Sequence, residues 1–125
     1  MKIRIEISLE HAVAFIADPY NSFIAPTNID NYDISENEGC IAFRVRPYFD
    51  GGADITVSSE EPGSQLGCAY EGNLLCKSGI LSISDSNNFN YLFIPVKSPL
   101  IKIKIWRSLF SIEDVWVHIS SISEY

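Results

Sequence analysis

The chain has 125 residues, 46 % hydrophobic and 20 % charged, with a net charge of −7. That length and balance exclude a disordered tail and a disulfide-dependent mini-protein, and fit one domain over residues 1–125 that buries about two-thirds of its unfolded surface. A negative chain repels nucleic acid and anionic membrane surfaces, so neither is expected as a partner, whereas a basic protein is.

The charge is unevenly placed. Asp18, Asp30, Asp33, Glu36, Glu38, Asp50, Asp54, Glu60 and Glu61 face only Arg44 and Arg46 between residues 18 and 61, which holds the whole excess. The rest of the chain has seven acids and seven bases. An acidic face that merely keeps a protein soluble is the plain alternative to a partner surface.

In chain order, Ile3, Ile5, Ile7 and Leu9 alternate with polar residues as in a half-buried strand. Charges between those apolar residues deny the N-terminus a signal peptide's apolar core, and no apolar run approaches a membrane helix's ~20 residues. Residues 12–17 form a second strand, or the end of a bent first one, stopped at Asp18-Pro19. Residues 19–38 sustain no period and read as a long connection held by its aromatics, with at most one helical turn.

Residues 39–61 read as a β-hairpin. Ile41, Phe43 and Val45 alternate with Ala42, Arg44 and Arg46, Asp50-Gly51-Gly52 supplies the turn, and Ile55 and Val57 lead back. Leu66–Tyr70 and Leu74–Lys77 read as two short strands split by Glu71-Gly72-Asn73, followed by a strand over Ile80–Ser84. Tyr91–Val96 carries Pro95 near its end, which places it at an edge or a strand terminus. Ile101, Ile103 and Ile105, then Val115, Val117 and Ile119, point inward on two late strands. Lys102, Lys104, Trp106, Trp116 and His118 take the opposite phase.

Eight to ten short amphipathic strands predict an all-β fold, an antiparallel β-sandwich, with a closed β-barrel as the runner-up.

The chemistry-bearing residues do not assemble into an enzyme's motif. His11 and His118 have no metal-ligand neighbour at a recognised spacing. Asp50-Gly-Gly-Ala-Asp54 offers two carboxylates where calcium takes six to eight oxygens. Cys40, Cys68 and Cys76 have no Cys-x-x-Cys spacing and read as reduced cytoplasmic thiols, with a Cys68–Cys76 disulfide expected only in an exported chain. No catalytic residue, metal or cofactor is expected.

The segments Gly39-Cys-Ile-Ala-Phe43, Ala53-Asp-Ile-Thr-Val57 and Ser78-Gly-Ile-Leu-Ser-Ile-Ser84 carry a resemblance. So do Ile7-Ser-Leu-Glu-His-Ala-Val-Ala-Phe15 and Phe93-Ile-Pro-Val-Lys-Ser-Pro-Leu-Ile-Lys-Ile-Lys-Ile-Trp106. In pattern and spacing, over most of its length, the chain resembles the competence protein J family of small inhibitors of a bacterial DNA-entry nuclease. The resemblance implies a β-sandwich that binds and blocks a nuclease, or a related immunity protein paired with a toxin. Charge reasoning, not the resemblance, selects the expected contacts: Asp30, Asp33, Glu36, Glu38, Asp50 and Asp54, with Tyr32 and Tyr48 as aromatic anchors. Two other classes are compatible with the sequence: a carbohydrate- or other ligand-binding module using Trp106 and Trp116, and a phage or surface assembly subunit.

Overall fold

The computed structural model describes residues 2–9, 12–21, 25–26, 33–46, 51–63, 66–97, 99–108 and 114–123. Its ten described strands are β1 (Lys2–Ile7), β2 (Val13–Ala17), β3 (Ile34–Glu36), β4 (Cys40–Arg44), β5 (Ala53–Ser58), β6 (Leu66–Leu75), β7 (Ile80–Ser84), β8 (Asn90–Pro95), β9 (Leu100–Ser108) and β10 (Asp114–Ile119). One sheet has the order β1-β5-β10-β9-β6, and the other β3-β4-β2-β7-β8. No helix occurs among the described residues. The two sheets stay separate, as a sandwich requires and a closed barrel forbids. Every pairing is antiparallel except β5 with β10.

The core follows the alternation. Ile55, Ile101, Ile103, Ile105 and Val117 from one sheet meet Ile16, Ile41, Phe43, Leu81 and Ile83 from the other in one cluster, each at most 1 % exposed. Burying such a side chain contributes about 1.5–3 kcal/mol. Phe15, Ala17, Cys40 and Ala42 form a second buried cluster on the outer side of β2 and β4. Sheet B, the β3-β4-β2-β7-β8 sheet, is thus covered on both faces there, where the sequence predicts one.

The expected 39–61 hairpin does not form. β4 pairs with β2 and β3, while β5 lies in the opposite sheet between β1 and β10. Alternation and a glycine turn mark two strands and a reversal between them, but do not say whether the chain returns beside itself or crosses to the other layer. The glycines are still needed: Gly51 and Gly52 have φ of 107° and 77°. A Cβ on Gly52 would stand 2.6 Å from the Ile7 carbonyl oxygen, at the place where the crossing chain joins β1. Gly52→Ala combines this clash with a left-handed backbone, and is expected to lower the unfolding free energy by about 2 kcal/mol in urea titrations.

The predicted break at Glu71-Gly72-Asn73 is also absent. β6 runs unbroken through it beside β9, with a bulge between Cys68 and Tyr70. Gly72 is there for space, since a Cβ would collide with the Tyr70 hydroxyl. β6 leads to β7 and β8 to β9, so the paired strands β6–β9 and β7–β8 make one ribbon that serves both sheets. β8 is an edge strand ending at Pro95, as expected.

Candidate functional site

The three acids at residues 33–38 lie on or beside β3, an edge strand of the sandwich. Among the described residues β3 pairs only with β4 and closes sheet B on that side. Ile34 packs on the core, and Asp33, Glu36 and Glu38 are exposed. A tight turn holds the strand's end: Asn37 N–H donates to the Cys40 carbonyl at 3.0 Å, and Gly39 N–H to Asn37 Oδ1 at 3.0 Å.

Two links tie this edge to β6, the edge of the other sheet. The Leu75 N–H donates to the Glu38 carbonyl at 3.4 Å, and the Tyr70 hydroxyl donates to Glu36 Oε2. Burial, and then the Glu36 carboxylate, push the Tyr70 pKa upward, so the phenol keeps its proton and remains the donor. Gly72 leaves room for the Tyr70 ring to lie across the backbone and make this reach. The clasp fixes one of the three carboxylates on a rigid frame. Among the described residues, no cation forms an ion pair with Asp33, Glu36 or Glu38.

Asp54 is elsewhere. Because β5 lies in the other sheet, Asp54 sits on that sheet's outer face and takes Arg4 Nη2 at 2.6 Å. Its register partners across the two neighbouring strands are Glu6 and Asp114. This second acidic row was not legible in the sequence, because Glu6 and Asp114 stand far from Asp54 in the chain and strand order alone brings them together. Asp30, Tyr32, Tyr48 and Asp50 lie outside the described residues.

Two other acids of the 18–61 segment, Asp18 and Glu61, have partners inside the protein. Asp18 is 3 % exposed and accepts from Tyr20 N, Asn21 Nδ2, Ser78 N and Ser78 Oγ. Glu61 pairs with Lys104 at 2.9 Å. The regional charge count therefore overstated the free acidic surface.

Trp106 and Trp116 are direct cross-strand partners on the outer face of β9 and β10, and both are half-buried. The segment after β5 is bonded to this face: Trp116 Nε1 donates to the Glu60 carbonyl at 2.9 Å, and His118 Nε2 lies 3.2 Å from the Ser59 carbonyl. Lys2 Nζ stands 5.1 Å from the Trp116 ring centre. These contacts engage Trp116 with the protein's own groups, whereas the Trp106 indole N–H is buried and finds no acceptor among the described residues. A cleft of about 530 Å³ beside the segment is lined by Arg4, Asp54, Pro62, Leu66, Asp114 and Trp116.

Among the described residues, no three His, Cys, Asp or Glu side chains are grouped to hold a metal. All three cysteines are free, and burial pushes the Cys40 thiol up to about 12, which leaves it unreactive at neutral pH. No described helix is long and apolar enough to cross a membrane.

No protein-family model matches the sequence, and no curated protein does either. The three-dimensional arrangement does have a counterpart: the crystal structure of ComJ from Bacillus subtilis, inhibitor of the DNA degrading activity of NucA. The match has a TM-score of 0.69 over 95 % of each chain, at 13 % identity. This chain has the ComJ fold. The segments that resemble the competence protein J family belong to β1, β2, β4, β5 and β7–β9, the strands that build both layers of that fold. ComJ is thus similar to this chain in the course of its strands, while few of its side chains are the same.

Proposed function

We propose that this protein is an inhibitor that binds a nuclease and blocks it without chemistry of its own. The end-to-end fold match to ComJ, an inhibitor of a DNA-degrading activity, carries the reading. The acidic edge supports it. A nuclease must hold phosphates and so presents a basic cleft, and Asp33, Glu36 and Glu38 offer carboxylates that no described cation neutralises. Long-range attraction between the two surfaces speeds encounter, and desolvated acid–base contacts slow dissociation.

Residues 1–125 act in this reading as one domain, since a single core cluster draws on both sheets. Free thiols fit a reducing compartment, so the site of action is the cytoplasm. The test is to purify the chain with the nuclease encoded nearest to it and follow DNA cleavage. Co-elution with loss of cleavage is expected. Full cleavage with the protein in saturating excess would overturn the proposal.

A further inference from the structure

Strand β9 turns three isoleucines inward and then, in the same phase, an arginine. Ile101, Ile103 and Ile105 are 0 % exposed, and Arg107 is 7 % exposed. Its Nη2 donates to the Arg44 carbonyl of β4 at 2.6 Å, linking the two sheets. Its Nε and Nη1 are buried and have no acceptor among the described residues. No described carboxylate lies within ion-pair distance of the guanidinium. Asp33, whose carbonyl accepts the Arg44 N–H at 2.9 Å, acts on it only through its longer-range field.

A lysine so placed would lose its proton, but a guanidinium stays charged throughout the range in which proteins fold. An uncompensated buried charge is strongly destabilising, and each buried N–H without an acceptor adds to that cost. Water would satisfy the N–H groups and leave the charge. An anion satisfies both. The second N–H of Nη2 lies on one edge of the guanidinium beside an unused nitrogen, the geometry that receives an anion through two N–H groups.

We propose that the buried guanidinium of Arg107 is the receptor for one small monovalent anion, of halide or formate size. With Arg107 only 7 % exposed, the guanidinium is out of reach of bulky anions. Asp33 repels the anion, so removing that charge should tighten binding.

The test is thermal unfolding of the full chain at constant ionic strength, replacing gluconate with bromide. The melting temperature should rise saturably, by about 4 °C. Arg107→Met should abolish the saturable rise, and Asp33→Asn should bring half-saturation to a several-fold lower bromide concentration. Should Arg107→Met fail to fold, bromide-soaked crystals of the natural chain decide the matter through anomalous scattering. A peak within hydrogen-bond distance of Arg107 Nε or Nη1 supports the proposal. No peak there, or an equal response to bromide in Arg107→Met, overturns it.

Discussion

Replacing Asp33, Glu36 and Glu38 together by Asn, Gln and Gln should weaken binding to the nuclease about 10²–10³-fold, or roughly 3–4 kcal/mol. The salt dependence of the association rate should flatten in parallel, because the same charges steer the encounter. Isothermal titration and stopped-flow measurements over a range of salt concentrations check both. The substitutions keep side-chain size, and the triple variant should fold, since all three side chains are exposed. Tyr70→Phe is the informative companion. It removes the hydroxyl that holds Glu36 but no charge, so it should raise the dissociation rate and leave the salt dependence intact. If the triple variant binds as tightly as the natural chain at every salt concentration, the acidic edge is not the contact surface. Asp54→Asn serves as the control, because its carboxylate is already committed to Arg4 on another face.

Asp18→Ala should lower the unfolding free energy by about 3 kcal/mol, because it strands four donors around a buried position. This residue joins the turn after β2 to the bend between β6 and β7, so its loss should loosen sheet B as a unit. The effect has a definite pH dependence. Burial works against ionisation of Asp18, but hydrogen bonds from Ser78, Tyr20 and Asn21 outweigh it and hold the pKa below the ordinary 3.8. A carboxylate depressed in the folded state stabilises fully at neutral pH, and the contribution disappears as pH falls through its folded pKa. The stability gap between the natural chain and Asp18→Asn should therefore be constant from pH 7 to about 5 and close at pH below 3.8. Urea titrations across that range measure it. Asp85 adds to the same acid limb: burial opposes its ionisation, and the Tyr91 hydroxyl with the Phe89 and Asn87 N–H groups hold it low.

These two carboxylates show how far residue counting reaches. Asp18 and Glu36 contribute the same unit to the charge excess of residues 18–61, yet one is interior scaffolding and the other is solvent-facing. Nothing in the local sequence separates them, because the difference depends on Ser78 and Tyr70, sixty and thirty-four residues away.

Side-chain alternation determined by itself which apolar residues fill the space between the two sheets. Ile41, Phe43, Ile55, Ile103 and Val117 lie where a period of two puts them, since a strand that buries one face has no other way to hide those side chains. The same pattern, with its turn residues, set the all-β class, the approximate strand number and the edge position of the strand ending at Pro95. Only the tertiary structure decided which strands are neighbours. Backbone hydrogen bonds are the same whichever strand supplies them, so the sequence does not say that β4 and β5 part to opposite sheets, or that β5 and β10 run parallel. That choice divides the acids, placing Asp33, Glu36 and Glu38 on the β3 edge and Asp54 beside Glu6 and Asp114 on the outer face of the other sheet.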